Sequence, residues 1–156
     1  MLKHFTGTHD HRMDDKGRVS LPSEFRRVLE TVGAPGALYV IPALEDPRCL
    51  SFLSIPGYDA LIRRHNEAEY PSFEDEQRAE IRLIAHASQV QVDDVGRIVI
   101  AKPLRERFDL AKSVRFIGKA SRFEIWQPEA RDSYEAELAP DAGGAPLRFS
   151  LRGLHE

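Results

Sequence analysis

Residues 11–29 read HRMDDKGRVSLPSEFRRVL, and residues 90–108 read VQVDDVGRIVIAKPLRERF. Laid over each other at an offset of 79 positions, they pair Asp14 with Asp93, Asp15 with Asp94, Gly17 with Gly96 and Arg18 with Arg97. The apolar positions follow, with Val19 on Ile98, Leu21 on Ile100 and Phe25 on Leu104, and Arg26 falls on Arg105. An Asp-x-x-Gly-Arg match alone is short enough to arise by chance. The same apolar order around both copies marks an internal repeat. Further out the likeness continues at a shorter spacing: Leu38-Tyr39-Val40-Ile41 against Val114-Arg115-Phe116-Ile117, and Cys49 to Leu53 against Arg122 to Trp126. Pro56 and Pro128 then each open a helical stretch, a position where the missing N–H costs nothing.

Each copy therefore reads as strand, tight turn, strand, short helix, strand, turn, strand, helix. In Asp14-Asp15-Lys16-Gly17 a leading Asp accepts a local backbone hydrogen bond and Gly17 supplies the positive φ of the turn. Asp93, Asp94 and Gly96 do the same in the second copy. Arg18 to Leu21 alternates polar and apolar, the pattern of a half-buried strand. Glu24 to Glu30 reads as a helix that buries Phe25, Val28 and Leu29 and ends at Gly33 and Gly36. Between the copies, Ser72-Phe73-Glu74-Asp75 is a capping box that starts a helix to about Ala87, with Ile81, Ile84 and Ala85 on one face. The expected division is a first module at 8–55, a helical connection at 56–83, a second module at 84–127, and a C-terminal helix and loose tail at 128–156. In that tail Phe149, Leu151 and Leu154 are the residues able to dock. The expected class is α+β with a mainly β core. Each copy alone is too small to bury much surface, so the two should pack about a pseudo-twofold axis. Unpaired strand edges also favour a homo-oligomer.

Composition narrows the function. Hydrophobic residues make up 42% of the 156, enough to bury a core. Charges interrupt every apolar run, so no membrane span is expected. The N-terminus lacks the apolar stretch of a secretory signal, so a cytoplasmic protein is expected. Cys49 is the single cysteine, which excludes an internal disulfide framework and any multi-cysteine zinc module. The formal charge of −3 argues against nucleic acid only if the charges are evenly spread.

The segments DDKGRVSLPSEFR and HASQVQVDDVGRIVIAKPLRERFDL, with Phe5-Thr6-Gly7 near the N-terminus, resemble the MraZ family over roughly residues 1 to 138. The resemblance implies modules similar to AbrB-type swapped-hairpin domains, joined in a pseudo-twofold, double-split β-barrel with flanking helices. It implies assembly into rings and a nucleoid-associated transcriptional regulator. Such a regulator binds short G-rich direct repeats in double-stranded DNA upstream of the division and cell-wall operon. By position, the family's DNA-contacting motif falls on Lys16 and Arg18 in the first copy and on Arg97 in the second. The chain departs from the pattern at Val95, which stands where the first copy has Lys16, and in its C-terminal tail.

The chemistry of these residues suits that role. Guanine presents O6 and N7 as adjacent acceptors in the major groove, which Arg or Lys satisfies. Lys16 neutralises phosphate, a salt-sensitive contribution. From Arg97 to Arg122 bases outnumber acids, while acids gather between the copies and after the second one, suggesting a basic and an acidic face. A competing reading has Arg18 and Arg97 bridging to the neighbouring Asp residues to hold the turns. Arg26, Arg105 and Arg107 read as a solvated helix face. Three other functions compete. The Asp pairs read alternatively as catalytic carboxylates, but no Ser, His or Cys accompanies both copies. His9 and His11 share a strand face and, with His4, suggest a metal-dependent enzyme, yet no further ligand of clear spacing is evident. His86 reads as a packed or interface histidine. An AbrB-like antitoxin would carry one DNA-binding copy and a toxin-binding tail. No catalytic residue, metal or cofactor is expected.

Overall fold

In a computed structural model, residues 3–138 are described. The tail residues Phe149, Leu151 and Leu154 lie outside them. The first copy supplies β1 (Thr8–Arg12), β2 (Arg18–Ser20), α1 (Ser23–Thr31), β3 (Ala37–Pro42), β4 (Cys49–Ser54) and α2 (Ile55–Glu67). A connecting helix α3 (Phe73–Glu80) runs into a π-helical turn, Ile81–Ala85. The second copy supplies β5 (Ser88–Gln91), β6 (Arg97–Val99), α4 (Lys102–Arg107), β7 (Ser113–Gly118), β8 (Phe123–Trp126) and α5 (Pro128–Leu138).

The strands form a six-stranded antiparallel sheet in the order β1-β7-β8-β4-β3-β5, and a two-stranded ribbon of β2 and β6. The pairing exchanges strands between the copies. β1 of the first copy pairs with β7 of the second, and β5 of the second pairs with β3 of the first. The pseudo-twofold passes through two places where equivalent strands meet themselves. In the ribbon it lies at Val19–Ile98, flanked by Arg18–Val99 and Ser20–Arg97. In the sheet it lies at Ser51–Glu124, flanked by Phe52–Phe123 and Leu50–Ile125. The architecture is thus α+β around a large antiparallel sheet. Its order has two ends, β1 and β5, so backbone pairing closes no barrel among the described residues. β2 packs beside β1 and β6 beside β5, which lays the ribbon across both ends.

Apolar alternation explains the core. Val19 and Ile98 point inward from the ribbon while Arg18, Ser20, Arg97 and Val99 point out. Phe25, Val28 and Leu29 recur at helical spacing on α1 and are buried. Phe25 meets Phe5, Phe116 and Phe123 at ring separations of 5.2, 6.1 and 5.0 Å. The inter-copy helix differs from its expected form. Ser72 caps it, its Oγ accepting from the Asp75 N–H at 3.1 Å, but the α-helix stops at Glu80. The His86 N–H then reaches back to the Ile81 carbonyl, the five-residue spacing of a π turn. The Tyr58 hydroxyl donates to the Leu83 carbonyl at 2.8 Å, satisfying an acceptor near the helix end. Ile81 and Ile84 do not pack inward. Both are largely exposed, as are His86 and Phe73, the last at 74%.

Candidate nucleic-acid interface

The two Asp-x-x-Gly-Arg segments form the same turn. Asp14 Oδ1 accepts from the backbone N–H of Lys16 at 3.0 Å and of Arg18 at 2.9 Å. Asp93 Oδ1 accepts from Val95 at 3.0 Å and Arg97 at 2.8 Å. One carboxylate thus satisfies two amides, and the Asp14 and Asp93 carbonyls accept from Gly17 and Gly96. Gly17 and Gly96 hold φ of +84° and +82°, where a side chain would be strained. The second carboxylate oxygen takes the arginine: Arg18 Nε lies 2.5 Å from Asp14 Oδ2, and Arg97 Nε 2.9 Å from Asp93 Oδ2. The Arg18 N–H, and then its guanidinium, hold the Asp14 carboxyl below the usual carboxylate value, and Arg97 does the same for Asp93. A depressed folded-state value means that this stabilisation is present above the unfolded carboxylate pKa, roughly 4. It fades as the pH falls through the lower folded value.

The ion pair does not consume the arginine. Among the described residues only Nε of Arg18 and Arg97 is engaged by a side chain, and both residues are exposed. Ribbon register then sets these two arginines on one face. Arg18 stands opposite Val99, and Arg97 opposite Ser20, so they occupy diagonal positions with Val99 and Ser20 beside them. Lys16 and Val95 are exposed at the two turn tips. The face is therefore pseudo-symmetric in its arginines and asymmetric at Lys16/Val95 and Ser20/Val99. Val99 and Ser20 lie outside the Asp-x-x-Gly-Arg motif, although strand alternation places them beside the arginines.

Arg26 and Arg105 are not a solvated helix face. Arg105, on α4, donates from Nε to the Ile100 carbonyl at 3.0 Å and from Nη1 to the Asp15 carbonyl at 3.1 Å. Arg26, on α1, donates from Nη1 to the Val95 carbonyl at 3.3 Å. Each arginine thus crosses to the other copy's turn. Arg107 instead lies over the Phe108 ring at 5.1 Å. The basic run from Arg97 to Arg122 is also not one face. Arg115 is shared by Asp10 and Asp132 at 2.7 and 2.6 Å, while Lys119 and Arg122 pair with Glu45. Acids distant in sequence neutralise that part of the run.

Among the described residues the rival chemistries find no assembled site. His9 and His11 share the inner face of β1, but each ring meets a phenylalanine edge-on, Phe25 at 5.2 Å and Phe116 at 5.3 Å. His11 Nδ1 lies 2.7 Å from the Ser20 carbonyl, which ties the ring to the ribbon. Among the described residues no three His, Cys, Asp or Glu side chains cluster as metal ligands. Cys49 is fully buried, and burial pushes its thiol pKa well up, the opposite of an activated nucleophile. Among those residues no helix is long and apolar enough to cross a membrane. Operator binding is accordingly expected to be unchanged when the protein is assayed before and after chelator treatment. Loss of binding that added zinc restores would assign the histidines a ligand role.

These features define a class: a tandem-repeat α+β protein whose copies exchange strands and carry two symmetry-related, arginine-bearing turns on one ribbon. Residues 83–143 match the family described as "MraZ protein, putative antitoxin-like". The chain is 36% identical to the transcriptional regulator MraZ of Gluconacetobacter diazotrophicus, over 85% of this chain and 84% of that one. Likeness to the transcriptional regulator MraZ of Xanthobacter autotrophicus is 34%, covering 87% and 85%. For that of Pectobacterium carotovorum it is 30%, covering 96% and 98%. The chain belongs to the MraZ family.

Proposed function

We propose that this chain is a sequence-specific transcriptional regulator that binds double-stranded DNA through the outer face of the β2–β6 ribbon. The observation that carries this reading is the register that sets Arg18 and Arg97 diagonally on the same exposed face of a two-stranded ribbon. A major groove admits such a ribbon, and an arginine with both Nη groups free matches guanine O6 and N7. Lys16 at the first tip meets phosphate. The second tip offers Val95 in its place, so the first turn carries more of the affinity. Ribbon and sheet together act as the two parts of a split barrel. The target proposed, in keeping with the family resemblance, is short G-rich direct repeats upstream of the division and cell-wall operon, bound at the nucleoid. Selection of bound fragments from a random DNA pool tests the reading. Enrichment of a G-rich direct repeat is expected, and a pool without an enriched motif overturns it.

The active form is a homo-oligomer, a ring in which successive subunits meet successive repeats. Small repeats with strand edges at β1 and β5, and the exposed Phe73, Ile81 and Ile84, motivate this. Light scattering at micromolar concentration is expected to give a mass several times the 17.7 kDa of one chain. A strictly monomeric mass would remove the ring and the avidity it provides.

A further inference from the structure

We infer that Arg105 and Arg26 are positioning residues, each fixing the DNA-facing turn of the opposite copy. The DNA part of this inference rests on the proposed function. The geometry is reciprocal. Arg105 of the second copy spans from the Ile100 carbonyl to the Asp15 carbonyl, and thus grips the first turn. Arg26 of the first copy reaches the Val95 carbonyl in the second turn. Backbone bonds cross at the same places: the Ile100 N–H donates to the Gly17 carbonyl at 2.8 Å, and the Leu21 N–H to the Gly96 carbonyl at 2.9 Å.

The two glycines show how closely the arginines fit. A Cβ on Gly17 would sit 2.8 Å from Arg105 Nε and would press into the Ile100 carbonyl. A Cβ on Gly96 would collide with the guanidinium of Arg26. Both glycines are buried although they lie at the base of exposed turns, because the opposite arginine covers them. Each turn thus needs glycine for its positive φ and for the arginine that packs on it. The clefts behind the turns are equivalent as well. Arg26, Val92, Asp93 and Asp94 line one; Arg105, Met13, Asp14 and Asp15 line the other. The planar guanidinium of Arg105 holds its two carbonyls with donors fixed in a rigid fork, whereas an ammonium is a point charge whose donors rotate freely. These arginines therefore set the angle at which Arg18 and Arg97 leave the ribbon. They also wire each turn to the copy it does not belong to.

Amide hydrogen exchange on the full-length chain tests the wiring without DNA. Arg105→Ala is expected to speed exchange of the Gly17 and Arg18 amides about tenfold, the scale of a lost charged hydrogen bond, and to leave Gly96 and Arg97 unchanged. Arg26→Ala is expected to do the reverse. Arg105→Lys keeps the charge without the fork and should protect the first turn no better than alanine. Faster exchange in the arginine's own copy, equal effects on both turns, or full protection by lysine would each overturn the inference. A double-mutant cycle reads the same wiring in operator affinity. Arg26→Ala should add less than about twofold in an Arg97→Ala background, while Arg105→Ala should keep its whole effect there. The opposite pattern overturns the inference. If Arg97→Ala and Arg18→Ala both leave operator affinity intact, the proposed function fails, and the exchange result still decides the wiring.

Discussion

Replacing Arg18 with alanine is expected to abolish specific operator binding while the melting temperature and the assembly stay near those of the parent chain. The magnitudes separate the two roles of this residue. Its ion pair with Asp14 is exposed, with 43% of the arginine and 37% of the aspartate side chain accessible, and solvent screens a pair of that kind to a small contribution. The bonds that hold the turn come from backbone N–H groups, including that of Arg18, which alanine retains. A lost guanine contact costs about 1–3 kcal/mol, and it recurs at every subunit engaged on a direct repeat. Contact loss therefore outweighs turn loss. Arg97→Ala is expected to cost less, because its turn offers Val95 rather than a lysine. Lys16→Ala should weaken binding to all sequences alike and flatten its salt dependence. Gel-shift titration, a melting curve and light scattering on the same variants read all of this. Full operator affinity with normal assembly in Arg18→Ala would sink the contact role, and a dissociated oligomer would place the arginine in the fold instead.

The repeat made much of this architecture legible. Asp14 and Asp93, Gly17 and Gly96, and Arg18 and Arg97 repeat an identical local turn, and local turn chemistry is readable from a few adjacent residues. Alternation around Val19 and Ile98 likewise gives one strand in each copy. What adjacent residues do not encode is which copy a strand pairs with. β1 joins β7 and β5 joins β3, and this exchange brings α4 against the first turn and α1 against the second. Arg105 therefore looks solvated on its own helix and is engaged only once the copies interlock. The same reason explains the charges. Arg115 lies in a basic run, yet β1 carries Asp10 to it from the far end of the chain. At Ile81 and Ile84 periodicity predicts a buried face, but both lie within the π turn, where the α-helical spacing is broken, and both remain exposed.

The copies are symmetric in backbone and unequal in packing, which gives the second large effect. Phe25→Ala is expected to destabilise the chain by about 3–5 kcal/mol, the range for deleting a buried aromatic ring. Phe25 is 1% exposed and stands among Phe5, His9, Phe116 and Phe123, so four neighbours face the cavity left behind. Its counterpart Leu104 is only partly buried at the edge of the same core. Leu104→Ala should cost about 1–2 kcal/mol, below the range for a fully buried leucine, because water already reaches part of the site. Against a total of roughly 5–15 kcal/mol for a domain, the first change removes a large share of the stability and the second does not. Phe25 also seats the helix that carries Arg26, so its loss should speed amide exchange at Gly96 and Arg97 before global unfolding. Denaturant titration at one fixed protein concentration measures both costs, because the proposed subunit association would add to apparent stability. Equal costs at Phe25 and Leu104 would mean that the two copies share the core evenly, and that the aromatic cluster around the first helix is not what anchors the interlocked repeats.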